Sequence, residues 1–198
     1  MKLNQLPEGI HRAGYYDAFF QQRLMLISRI DTMGKPSVAT LFGYCLGGGL
    51  ELPLGCTFRL ATEEGARIGL PEMDLGSTPA WGGSARLAKT VGRTAALDMI
   101  LRAKMLSGPD ALAVGLVSDV WPLDELKDRA IDLAVELASQ PRLAVRGMLD
   151  ALHDAEHKTL DDLLAAERAA VHATMGSADA REGMMAFLEK RPPIFNQD

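Results

Sequence analysis

The stretch from Ser37 to Cys56 constrains the fold most tightly. Ser37 to Phe42 is apolar and β-branched enough for a buried strand. Gly47-Gly48-Gly49 then opens a turn, and Leu50 begins a short helix to about Cys56. Pro53 falls in the first turn of that helix, where backbone N–H groups have no intrahelical acceptor. Thr57 to Ala61 reads as the next strand. A strand that passes through a glycine turn into a helix and back to a strand predicts an α/β chain.

The same stretch carries the first sign of chemistry. Glu51 follows the three glycines, and Glu72 ends a second glycine segment, Gly69-Leu70-Pro71-Glu72. Glycines at a strand-to-helix turn offer bare backbone N–H groups, the means by which an oxyanion is held. A helix N-terminus adds positive potential there. Two carboxylates near such a turn equip a site to move protons or a water molecule. The combination points to chemistry on a carbonyl compound. The glycine run lacks both the G-x-G-x-x-G spacing and a following Lys-Ser/Thr, so a phosphate cradle is a poor reading. No G-x-S-x-G elbow supports a hydrolase.

Outside this region, Tyr15 to Met33 shows apolar residues at helical spacing (Phe19, Phe20, Leu24, Ile27, Ile30), stopped by Gly34-Lys35-Pro36. Residues 1–13 read as irregular, with Pro7 and Gly9 as breakers. From Gly82 the pattern is helical, with helix starts at Ser107-Gly108-Pro109-Asp110 and Leu123-Asp124-Glu125-Leu126 and a last short strand over Val117–Trp121. Helices rich in Ala and Met then follow without strands: Leu143–His153, Leu160–Met175 and Asp179–Glu189. The expected division is a core over 1–140 and a helical region over 141–198, a lid or an oligomerisation arm.

Composition narrows the partners. The chain of 198 residues has a net charge of −5 and no Lys/Arg cluster, which argues against nucleic acid. No segment reaches membrane-spanning length and the N-terminus lacks a signal peptide's apolar stretch, so a reducing cytoplasm is the default. Cys45 and Cys56 sit in apolar surroundings without CxxC spacing and read as structural thiols. His153 and His157 are spaced i, i+4, but no third ligand accompanies them, and no metal site is expected. Asp74 reads equally as a turn acid or a supporting carboxylate.

Taken in order, the motifs resemble the crotonase superfamily, in particular its enoyl-CoA hydratase/isomerase group. The matching pieces are Lys35-Pro36-Ser37-Val38-Ala39, Gly43 through Leu52, Gly69-Leu70-Pro71-Glu72, Gly82-Gly83-Ser84-Ala85-Arg86-Leu87, Gly115-Leu116-Val117 and the tail Arg181 to Arg191. The resemblance implies an α/β fold, a spiral of ββα turns with a C-terminal helical oligomerisation region, in trimers that pair into hexamers. It implies an acyl-CoA thioester substrate, with coenzyme A part of the substrate and no further cofactor.

Carried over residue by residue, the family's catalytic glutamates correspond to Glu51 and Glu72, and one oxyanion donor corresponds to Gly48. Gly47, Ala80 and Trp81 fall among substrate-binding positions, and Phe187 and Lys190 match tail residues that approach the coenzyme A moiety. The implied reaction is hydration of a 2-enoyl-CoA to a 3-hydroxyacyl-CoA, with Glu51 and Glu72 as a shared acid/base unit. The family usually has Gly at Ala80, where a backbone N–H helps seat the water, and Trp81 is expected to shape the acyl pocket. Those departures keep a double-bond isomerase as the alternative. Met1-Lys2-Leu3 resembles residues just after the family's first oxyanion segment, so the spiral is expected to be N-terminally incomplete. From another class comes the reading of a truncated, non-catalytic acyl-CoA-binding relative.

Overall fold

Short parallel strands laid down in pairs organise the core of the computed structural model, which describes residues 13–197. The irregular reading of the first residues lies outside these. By contacts the chain forms two compact units: the described residues through Asp31 with Ala39–Leu126, and Thr32–Val38 with the chain from Lys127 onward.

In the first unit, helix α1 (Ala13–Asp31) precedes β1 (Val38–Leu41) and β2 (Tyr44–Leu46). A one-turn helix α2 (Gly48–Glu51) follows, then a 3-10 turn over Pro53–Gly55. The second round repeats the scheme with β3 (Phe58–Thr62), β4 (Arg67–Gly69), a 3-10 turn over Pro71–Leu75 and helix α3 (Gly83–Leu101). Helix α4 (Gly108–Ala113) and β5 (Asp119–Trp121) come next, ahead of α5 (Leu123–Ser139).

The strands sort into two sheets, β1-β3-β5 and β2-β4. Strand β3 pairs parallel with β5, Leu60 opposite Asp119, and β2 pairs parallel with β4, Cys45 opposite Ile68. Parallel neighbours cannot be joined by a hairpin, so each return is a crossover through helical residues. One strand of each round therefore goes to each sheet, and the result is a spiral of ββα turns. Leu41, Leu50, Ile68, Leu70, Leu87 and Leu116, all 0% exposed, fill the space between the layers.

Local chemistry explains the boundaries. Pro53 does not ride inside one helix from Leu50 to Cys56, as expected, but starts its own 3-10 turn: it has no N–H to continue the ladder. The three-residue strands β2 and β4 were unmarked in the sequence, being too short to show alternation. At α4, Ser107 and Asp110 form a capping box, each side chain accepting from the other residue's backbone N–H. Arg59, half-buried, donates to the carbonyls of Leu116 at 2.7 Å and Cys56 at 2.6 Å, pinning β3 to both neighbouring loops.

The second unit is helical. Besides α5 it holds α6 (Arg142–Leu152), α7 (Leu160–Thr174) and α8 (Ala178–Glu189), close to the helices expected there. Helices α6 and α7 approach at Gly147, where a Cβ would lie 2.7 Å from that of Ala170.

Candidate active site

The site is built around the entrance to α2. Gly47 takes φ 55° and ψ −124°, a backbone conformation that favours glycine, and this reverses the chain after β2. The N–H groups of Leu50 and Glu51 return to the Gly47 carbonyl at 2.8 and 2.9 Å, while the Gly47 N–H donates to Gly69 O at 3.1 Å. The N–H groups of Gly48 and Gly49 meet no acceptor among the described residues. They are the unclaimed donors of the first helical turn, available to an oxygen from outside. Of the two candidate glycines, Gly48 thus offers an N–H and Gly47 shapes the turn.

Glu51 ends α2 and is only 3% exposed. Its Oε1 accepts from the backbone N–H of Trp81 at 2.7 Å and of Gly83 at 3.0 Å. Burying a carboxylate without partners is costly, and these two donors meet that requirement while fixing the carboxylate's direction. Gly83 has no latitude, since a Cβ there would come within 2.6 Å of Glu51 Cγ.

Glu72 reaches the turn from the other side, from the 3-10 turn after β4. Its Oε1 lies 2.9 Å from where a Cβ on Gly47 would be. Its Oε2 is buried with no hydrogen-bond partner among the described residues. Burial pushes the Glu72 carboxyl above its ordinary value, the charge of Glu51 pushes the same way, and the residue's own backbone N–H pulls it back. A buried polar atom left unpaired marks a place for a ligand or water group. The two carboxylates therefore share one small site at Gly47-Gly48, where burial favours the neutral form of Glu72.

Trp81 meets this site through both its backbone and its ring. Its backbone helps to hold Glu51, and its ring lies on Gly48: a Cβ there would meet Cη2 at 2.7 Å and Cε3 at 2.9 Å. Phe19 meets the ring edge-on at 6.3 Å between centroids. Arg86 braces the segment through Asp31 at 3.2 Å, Ser28 Oγ at 3.0 Å and the Trp81 carbonyl at 3.4 Å. Ala80, one residue earlier, is exposed, and the amides that grip Glu51 are those of Trp81 and Gly83. Asp74 is exposed on the Glu72 turn.

None of the contacts above involves the remaining sequence candidates. Phe187, 79% exposed on α8, and Lys190, which caps α8 with φ 55°, belong to the second unit. Cys45 is buried, donates to Phe42 O at 3.4 Å, and has its thiol pushed up by burial, as a structural cysteine should. Cys56 is half-buried. His153 faces Asp154 at 3.3 Å, and no cluster of three metal-ligating side chains occurs among the described residues. Sequence reasoning missed the Trp81 and Gly83 amides that hold Glu51, because no side-chain motif marks a backbone N–H.

The chain as a whole is similar to known proteins. The sequence matches the family model for enoyl-CoA hydratase/isomerase over residues 5–198. A 2,3-dehydroadipyl-CoA hydratase of Escherichia coli is 39% identical, over 87% of this chain and 68% of its own. A probable mitochondrial enoyl-CoA hydratase of Dictyostelium discoideum is 36% identical, over 91% of this chain and 65% of its own. The crystal structure of an enoyl-CoA hydratase from Bacillus anthracis superposes with a TM-score of 0.89 at 31% identity, covering 94% of this chain and 72% of that one. The chain spans about two thirds of the length of the curated relatives it matches. It belongs to the enoyl-CoA hydratase/isomerase family of the crotonase superfamily.

Proposed function

We propose that the chain carries the hydration site for a 2-enoyl-CoA, converting it to the 3-hydroxyacyl-CoA. The observation that carries this reading is the buried, unpartnered Oε2 of Glu72 at the same glycine turn that the amide-held Glu51 closes. The thioester carbonyl accepts from the Gly48 N–H, which draws electron density from the β-carbon. Glu51 takes a proton from water as its oxygen bonds to the β-carbon. Glu72 delivers its proton to the α-carbon as the enolate collapses. Exchange of one proton from Glu51 back to Glu72 through solvent restores the pair. This chemistry uses the two carboxylates, a backbone N–H and water, with coenzyme A as the substrate's carrier.

Phe187 and Lys190 fit a role in contacting that carrier, one as an exposed aromatic face and the other as a cation. The exposed apolar side chains of α7 and α8, among them Val171 and Leu188, fit a helical arm that assembles trimers or hexamers. Free thiols fit a reducing compartment such as the cytoplasm. No helix among the described residues is long and apolar enough to cross a membrane.

The test follows conjugated enoyl-thioester absorbance with crotonyl-CoA, wild type beside Glu51→Gln, with the product identified by mass. A gain of one water that the substitution abolishes supports hydration. A shifted double bond without added water would instead make the protein an isomerase.

A further inference from the structure

Glu51 is aimed by a backbone segment that has little of its own to hold it. Between the Ser77 N–H, which returns to Glu72 O at 3.0 Å, and the Trp81 N–H, no backbone hydrogen bond is made among the described residues. Thr78 and Ala80 in that stretch are exposed. Gly82 then takes φ 89°, and the Trp81 and Gly83 N–H groups on either side of it converge on one Glu51 oxygen.

Helix α1 packs along this segment. Leu24 Cδ1 lies 3.1 Å from a Cβ built on Gly82, and Arg86 ties Ser28 and Asp31 of the helix to the Trp81 carbonyl. Two elements contact the indole itself. The ring rests on Gly48, where no Cβ would fit, and Phe19 of α1 meets it edge-on, at 6.3 Å between centroids and 63° between planes. Phe19 is backed in turn by Arg23, whose guanidinium carbon is 3.2 Å from the Phe19 ring centroid. Residue 81 thus touches both halves of the site, the glycine turn by its ring and Glu51 by its amide.

We propose that Phe19 is a positioning residue for Glu51, acting through Trp81. Its ring fixes the indole against Gly48, and the fixed indole holds in place the amide that aims the carboxylate. A reacting group must keep its direction closely, and a displacement of about 1 Å can cost up to about a hundredfold in rate. The kinetic consequence rests on the hydration reading above; the effect on the amides does not.

The experiment combines crotonyl-CoA kinetics with backbone amide NMR of the deuterated full chain. An amide proton donated to a carboxylate at 2.7 Å resonates downfield, and Glu51→Gln identifies the Trp81 and Gly83 signals by moving them. Phe19→Leu is expected to move both signals upfield while the amides of β3 and β5 stay in place. In the same preparation kcat falls roughly tenfold, with KM changed by less than about twofold. Phe19→Tyr, which keeps the ring, retains both amide positions and kcat. Should Phe19→Leu not fold, Phe19→Met fills the space without a ring and gives the same readout. Unmoved amides, or a rise in KM with kcat intact, would make Phe19 a plain wall residue and overturn the assignment. Moved amides in a protein whose wild type leaves crotonyl-CoA unhydrated would count against the hydration reading and leave the positioning role standing.

Discussion

Gly48 and Glu72, the two residues of the proposed site that differ most, are constrained by their surroundings in different ways. Gly48 must lack a side chain because Trp81 occupies the space a Cβ would need. We predict that Gly48→Ala lowers kcat for crotonyl-CoA by about a hundredfold, the scale of losing one oxyanion donor, with a change in Trp81 fluorescence as the ring is displaced. Unchanged kcat and fluorescence would show that the ring does not rest there. Glu72 differs in kind, because its environment raises its pKa from the ordinary 4.5. The native state then binds a proton that the unfolded chain has already released, so stability falls as pH rises from that ordinary value through the raised one. Glu72→Gln cannot lose a proton. Its melting temperature relative to wild type should therefore rise as pH increases above that ordinary value, with the variant favoured at the upper end. A difference that stays flat with pH contradicts the raised pKa.

Among the elements, what was legible in the sequence tracks length. The long helices showed their periodicity, and the starts of α7 and α8 fell within a residue of expectation, where Thr159 and Ser177 cap them. The strands β2 and β4, with three residues each, escaped notice since a parallel bridge of that length depends on its partner rather than on its own pattern. The carboxylates of the site were legible because each adjoins its own glycine segment. Their ligands were not. Trp81 meets Glu51 across 30 residues of sequence, through a backbone amide that no side-chain motif records. Close helix packing likewise became visible only in three dimensions, at Gly147 against Ala170. Gly147→Ala is expected to cost about 1–3 kcal/mol through overpacking. Hydrogen exchange should locate the loss in α6 and α7, with the amides of β3 and β5 unaffected. Equal acceleration in all of these, or a stabilised variant, would show that the two helices have room to part.

At the scale of the whole molecule, each compact unit has its own character. The spiral unit supplies the carboxylates and the glycine turn, while the helical unit carries exposed apolar side chains such as Val135 at 65%, Leu160 at 70% and Phe187 at 79% exposure. Surfaces of that kind in a chain of 21.4 kDa need covering. Sedimentation equilibrium is expected to give a mass that is a multiple of three chains, and a monomer at micromolar concentration would contradict the arm assignment. The central claim remains that Glu51 and Glu72 act as one acid/base unit at the Gly48 N–H. A double-mutant cycle on crotonyl-CoA hydration tests it most directly, with Glu51→Gln, Glu72→Gln and the pair compared by kcat. If the two form a unit, each single substitution costs at least about a hundredfold and the double costs little more than the worse single. Losses that multiply, or a single variant with near wild-type kcat, would mean that the two carboxylates do not share the reaction.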